Sequence, residues 1–206
     1  MGKRDLIKME KKTVTLNDGK TKDWFTPHFG ELKYKTYKQV AEEVTNFGKG
    51  LKSECGLKVQ DYVGIYENTI PEWMISALAC FEHSFVVVTV YSNLGDEALI
   101  YSINQTEMTT IICSGSNVSK LLSFEKDIPT LKNIIYIDEY SKKEETNSKI
   151  KIISYQEVIN IGTTKEVSVV NPGPKDLAVI MYTSGSTGVP KGKLQTFNQR
   201  CDGYSF

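Results

Sequence analysis

Tyr182-Thr183-Ser184-Gly185-Ser186-Thr187-Gly188-Val189-Pro190-Lys191-Gly192 gathers four Ser/Thr hydroxyls, three glycines and a lysine into one short stretch. Glycine lets the backbone approach an anion closely and turn its N–H groups toward it. The hydroxyls add donors, and the lysine adds a point charge. The chemistry such a set can do is phosphate binding, with Thr183, Ser184, Gly185, Ser186, Thr187, Gly188 and Lys191 as the candidate residues. A Gly/Ser-rich stretch can also be a plain surface loop. Two features argue against that here: the apolar run that feeds into it, and the Pro-Lys-Gly that closes it.

Spacing narrows the kind of phosphate loop. The nucleoside-triphosphatase loop requires G-x-x-x-x-G-K-[ST]. Counting from Gly185 puts Pro190 at its second glycine, and counting from Gly188 puts Lys193 there. The dinucleotide fingerprint G-x-G-x-x-G fails as well, because Thr187 stands two residues after Gly185.

The elements that must position the loop are legible in the chain. The run 177–183 is short, apolar at its start and free of alternation, as in a strand buried on both faces. Upstream, Thr36-Tyr37-Lys38-Gln39 forms a capping box for a helix with Tyr37, Val40, Ala41, Val44, Phe47 and Leu51 on one face and Gly56 past its end. A strand follows at 62–66. Pro71 opens a second helix that would turn Trp73, Met74, Ala77, Leu78 and Phe81 inward. The β-branched run 85–90 is the clearest strand. Asp96 is read as the cap of a third helix through Ile103. Strands are expected at 109–113 and 133–137, with a helix at 116–124 between them. The charged segment 139–151 reads as a surface loop. Ser154-Tyr155-Gln156-Glu157 caps a short helix ending near Gly162, and 162–176 reads as a linker. This alternation predicts an α/β fold: a mostly parallel sheet with flanking helices and ligands at the carboxyl ends of its strands. Residues 1–33 read as an irregular polar segment, with Asn17-Asp18-Gly19 marking a turn that a hairpin could use.

Composition sets outer bounds. The chain has 206 residues, 40% apolar and 24% charged, enough for one substantial domain or a small pair. A net charge of zero gives no footprint for nucleic acid. Cys55, Cys80, Cys113 and Cys201 lie far apart without metal-ligand spacing and are read as reduced thiols; His28 and His83 are the only histidines. The charged N-terminus does not resemble a secretory signal, and no apolar run approaches the roughly 20 residues of a membrane span.

The stretch from Tyr182 to Gly192 resembles the phosphate-binding signature of the adenylate-forming, or AMP-binding, superfamily. Two further stretches resemble its long-chain fatty acyl-CoA synthetase branch: Pro71-Glu72-Trp73-Met74-Ile75 with Ala79-Cys80, and Val90 to Tyr101 with Ile103-Asn104-Gln105-Thr106-Glu107. The segment from Tyr37 to Leu51 with Gly56-Leu57 and Asp61 is similar to it too. The resemblance implies part of the N-terminal domain of an adenylate-forming enzyme. It implies a reaction in which ATP and a fatty acid give an acyl-adenylate and pyrophosphate, after which CoA displaces AMP. ATP, Mg²⁺ and CoA are the implied cofactors, and fatty acid and ATP the implied substrates. Residues 184–188 would hold pyrophosphate oxygens, Lys191 would add a cation, and Pro190 would stiffen the loop's exit. A cytoplasmic location is implied, peripheral to an intracellular membrane such as the ER.

The departures bound the expectation. The family's adenine, acyl-tunnel and Mg²⁺-ligand motifs lie beyond the phosphate loop, outside this sequence, and the CoA site with them. Residues 193–206 do not follow the family pattern and are read as an atypical tail after a partial AMP-binding domain at 34–192. The chain is therefore expected to be inactive by itself. The alternatives are a non-catalytic nucleotide- or partner-binding module that keeps the phosphate loop, and an adenylating enzyme for aryl or amino acids.

Overall fold

The computed structural model describes residues 1–15, 20–91, 95–138, 148–183 and 190–198. The chain divides into two compact units on either side of residue 40. In the first, β1 (Gly2–Thr15) and β2 (Thr21–Tyr34) pair antiparallel, with Thr15 opposite Thr21. The reading of 1–33 as irregular is corrected by this hairpin; its expected turn, Asn17-Asp18-Gly19, falls outside the described residues. Nearly every residue of both strands is exposed. The pairing rests on backbone hydrogen bonds and cross-strand contacts such as Lys11 Nζ to Asp23 Oδ2 at 2.7 Å and the Lys33–Asp5 pair. A strand that buries neither face leaves no hydrophobic alternation to read.

The second unit begins within α1 (Tyr37–Glu54). Its capping box forms as read: Thr36 N donates to Gln39 Oε1 at 2.8 Å, and Gln39 N donates to Thr36 Oγ1 at 3.3 Å. Past its end, Gly56 takes φ +65°, a left-handed conformation that favours glycine. The next elements are β3 (Tyr62–Tyr66), α2 (Pro71–Glu82), β4 (Val86–Thr89), α3 (Asp96–Thr106), β5 (Thr110–Cys113) and α4 (Gly115–Ser123). They are followed by β6 (Asn133–Tyr136), β7 (Lys151–Ser154), α5 (Tyr155–Thr164), β8 (Leu177–Thr183) and β9 (Lys191–Thr196). The seven strands form one sheet in the order β7-β6-β5-β3-β4-β8-β9, parallel throughout except for the β8–β9 pair.

Alternate residues of the same strands build two cores. Val63, Ile65, Val87, Ile112, Ile135 and Val179 pack with α1, α2 and α5. Val86, Val88, Ile111, Ile134, Ile180 and Tyr182 pack with α3 and α4. The expected mostly parallel sheet with flanking helices is thus present, with helices on both faces. At the amino edge Gln60 fixes where β8 starts: its Oε1 accepts from Leu177 N at 3.0 Å, and its Nε2 donates to Ser84 O at 3.2 Å.

Several local readings change. In α2 the sheet side is taken by Ile75, Ala77, Ala79 and Cys80, while Met74 and Leu78 are exposed. Small residues let the helix sit close to the sheet, so the larger ones turn away. Tyr37 and Ala41 of α1 are exposed as well; the helix is buried at Phe47 and Leu51. Asp96 lies in the first turn of α3 rather than capping it, and pairs with Lys120 Nζ at 2.5 Å. β7 begins at Lys151, the last residue of the segment read as a charged loop, and was not expected from the sequence. Residues 193–196, read as the start of an atypical tail, continue β9.

The helix expected to end near Gly162 runs to Thr164, so Gly162 lies within its last turn. A Cβ there would stand 1.7 Å from Asn46 O, and one on Gly50 would stand 2.0 Å from Val158 O. The two glycines let α1 and α5 cross backbone to backbone. Gly50→Ala and Gly162→Ala are each expected to cost about 1–3 kcal/mol, as overpacking does, read as a lower urea midpoint at unchanged slope.

His83 is fully buried against Phe85, its ring nitrogens unpartnered. Burial lowers its pKa below the ordinary 6.5, with Lys52 and Lys49 adding to this and Glu82 opposing it. The folded state therefore favours neutral His83, and its contribution is lost as the pH falls below the ordinary histidine range. The urea midpoint is expected to drop between pH 7.5 and pH 5.5, and His83→Leu to flatten that drop.

Candidate functional site

β8 carries apolar side chains to both cores and then stops at the carboxyl edge of the sheet, where its parallel neighbour β4, and β3 beyond it, also end. Here the chain reverses. Thr183 lies opposite Lys191, and Tyr182 opposite Gly192, in antiparallel register. The strands on either side of residues 184–190 are thus joined as an antiparallel pair. Of the candidate residues, Thr183 ends β8 and Lys191 opens β9, so the structure brings these two together across the loop's mouth. The Lys191 side chain is exposed. Ser184, Gly185, Ser186, Thr187 and Gly188 lie outside the described residues.

Gly192 has a packing reason. A Cβ there would meet Ile180 Cγ2 at 3.1 Å and the Tyr182 ring at 3.4 Å. The glycine leaves room for the Tyr182 ring, which is 1% exposed and lies in the core under α3. Burial pushes the Tyr182 hydroxyl up to about 12, and it stays protonated at neutral pH. It donates to Gln105 Oε1 at 2.7 Å, and Gln105 Nε2 donates to Tyr101 Oη at 2.9 Å. A hydrogen-bonded line therefore runs from α3 to the last residue but one of β8. Gln105 was not singled out in the sequence by itself. The available signal was the i, i+4 pair Tyr101/Gln105 on one helix face, together with the rule that a buried tyrosine hydroxyl finds a partner.

Other polar groups end strands along the same edge. Glu67 follows β3, and Asp138 lies just beyond β6 and accepts from Gly115 N at the start of α4. Burial raises the Glu67 carboxyl above its usual range, with the charges of Asp138 and Glu72 adding to the effect. Its Oε1 accepts from Asn68 N at 2.7 Å, while its Oε2 is buried without a hydrogen bond. Sequence reasoning passed over both acids; their one signal was position, directly after strands of a parallel sheet. Among the described residues, no group of three or more His, Cys, Asp or Glu could hold a metal ion. Cys55, Cys80 and Cys113 are free thiols; Cys201 lies outside the described residues. Burial pushes Cys55 up to about 11 and raises the other two further, so none of these thiols is primed as a nucleophile.

The description "AMP-binding enzyme" belongs to the family model that matches residues 16–202. Long chain acyl-CoA synthetase 8 of Arabidopsis thaliana is 40% identical over 201 residues, 95% of this chain and 27% of that protein. Long-chain-fatty-acid–CoA ligase 5 of Rattus norvegicus is 36% identical over 171 residues, 80% of this chain and 25% of that protein. The chain thus spans about a quarter of the length of these curated relatives. Among solved structures, the A-PCP didomain of carboxylic acid reductase from Segniliparus rugosus, in complex with AMP, superposes with a TM-score of 0.74. At 16% identity, over 96% of this chain and 29% of that one, this likeness speaks for the fold alone. With the family model covering most of its length and its sheet closing a Gly/Ser loop at the carboxyl edge, the chain belongs to the AMP-binding enzyme family.

Proposed function

We propose that this chain carries the phosphate-binding part of an ATP-dependent fatty acid–CoA ligase. The observation that carries the reading is the Thr183–Lys191 pair, which closes the Ser/Gly loop at the carboxyl edge of the sheet with a lysine at its exit. In the first half-reaction a fatty-acid carboxylate attacks the α-phosphate of ATP, and pyrophosphate leaves. The charge that builds on the leaving oxygens needs donors already in place. The hydroxyls of Thr183, Ser184, Ser186 and Thr187, the backbone N–H groups of Gly185 and Gly188 and the ammonium of Lys191 are the groups that would supply them. In the second half-reaction the CoA thiol displaces AMP from the acyl-adenylate, giving the thioester. The long-chain preference is supported by relatives at 36–40% identity whose names carry that substrate class. Mg²⁺ is implied by the family, and the described residues offer no ligand cluster for it. A cytoplasmic site of action, peripheral to an intracellular membrane such as the ER, goes with this reading.

A nucleotide-binding role without turnover is the second reading, and the free thiols and the absence of a metal-ligand cluster among the described residues do not argue against it. Calorimetric titration separates the outcomes. The chain is expected to bind ATP saturably, and Lys191→Ala to raise the dissociation constant about tenfold or more, as loss of a charge-assisted contact does. An unchanged constant would contradict the phosphate assignment. Fatty-acid-dependent ATP–pyrophosphate exchange by the chain would exclude the reading without turnover.

A further inference from the structure

We propose that Gln105 is a positioning residue for the phosphate loop, acting through Tyr182. The inference rests on the proposed phosphate site and adds how that site is held. Tyr182 is the residue before Thr183, so its placement sets where the loop departs from β8. Three constraints fix it. The ring is enclosed in the core between the sheet and α3. Its edge lies against the space left by Gly192 on the opposite arm of the hairpin. Its hydroxyl donates to Gln105 Oε1. The first constraint is common to core residues. The second links the two arms of the loop, and the third ties both arms to a helix on the sheet's far side from α1, α2 and α5.

Gln105 suits this role and little else. It is exposed, so packing does not explain the side chain. Its amide is oriented from behind, because Nε2 donates to Tyr101 Oη one helical turn earlier. That bond turns Oε1 toward Tyr182, which must then donate. A glutamate at this position would keep the acceptor and lose the donor. A leucine would keep much of the volume and lose both. Tyr182→Phe would keep the ring against Gly192 and remove only the hydroxyl.

The experiment compares Gln105→Leu, Gln105→Glu, Tyr182→Phe, the Gln105→Leu/Tyr182→Phe double variant and Lys191→Ala in the full 206-residue chain. ATP affinity and amide hydrogen exchange are read in parallel. Gln105→Leu and Tyr182→Phe are each expected to weaken ATP about fivefold, the equivalent of one ordinary hydrogen bond. The double variant should be no weaker than either single one, since both remove the same bond. Gln105→Glu should restore affinity to within about twofold of the unaltered chain, because the acceptor remains. Amides of residues 181–183 and 191–193 should exchange faster in Gln105→Leu and Tyr182→Phe, while those of β3 stay as they are. Additive losses, or unchanged affinity and exchange in Gln105→Leu, would overturn the proposal. Lys191→Ala is expected to weaken ATP about tenfold or more with exchange unchanged. If it keeps ATP, or if the unaltered chain binds none, the phosphate assignment fails, and the exchange data alone decide whether Gln105 holds the hairpin.

Discussion

A strand in the middle of a sheet must be covered on both faces, and β8, which leads to Thr183, is under this constraint. Val179 serves one core, Ile180 and Tyr182 the other, and all three are nearly sealed from solvent. The chain reaches this slot from β7, at the opposite edge, by way of α5 and the segment 165–176. That crossing is what puts a Gly/Ser loop beside β4, at the carboxyl edge, rather than at the rim of the molecule. Strand burial fixes the root of the loop at Tyr182, one residue before Thr183.

The two helix layers do different jobs at that root. On one face α1 and α5 cross at Gly50 and Gly162 so closely that a methyl group on either glycine would strike a carbonyl. This layer packs on its own face of the sheet and buries His83, and that burial lowers the histidine's pKa. On the other face α3 sends a polar line through Gln105 to Tyr182. For the proposed phosphate site this positioning would matter, because donors misplaced by about 1 Å lose much of their effect.

Where burial dictates structure, the sequence was readable. The strands at 62–66 and 177–183, the Thr36 and Ser154 caps and the Pro71 helix start all follow from periodicity and capping, and the structure reproduces them. What was missed has no such signature. The β1–β2 hairpin buries neither face, so its residues show no alternation. β7 is an edge strand with an exposed lysine at its start, and it was hidden behind a charged segment. Gly162 looked like a terminator because close helix crossing and helix ending use the same residue. At the site, the composition and spacing around Lys191 pointed to phosphate, but not to the antiparallel turn-back that pairs Lys191 with Thr183. That pairing depends on a strand, β9, whose sequence Lys191 to Thr196 is mostly polar and carries no run of apolar residues.

The central claim is that the nucleotide's phosphates sit in the loop closed by Thr183 and Lys191. Amide hydrogen exchange of the 206-residue chain with and without saturating ATP tests it most directly. The account predicts that ATP slows exchange across residues 183–192 and leaves the β1–β2 hairpin unchanged. Slowing confined to other segments, or none along 183–192 at an ATP concentration that saturates binding, would contradict it.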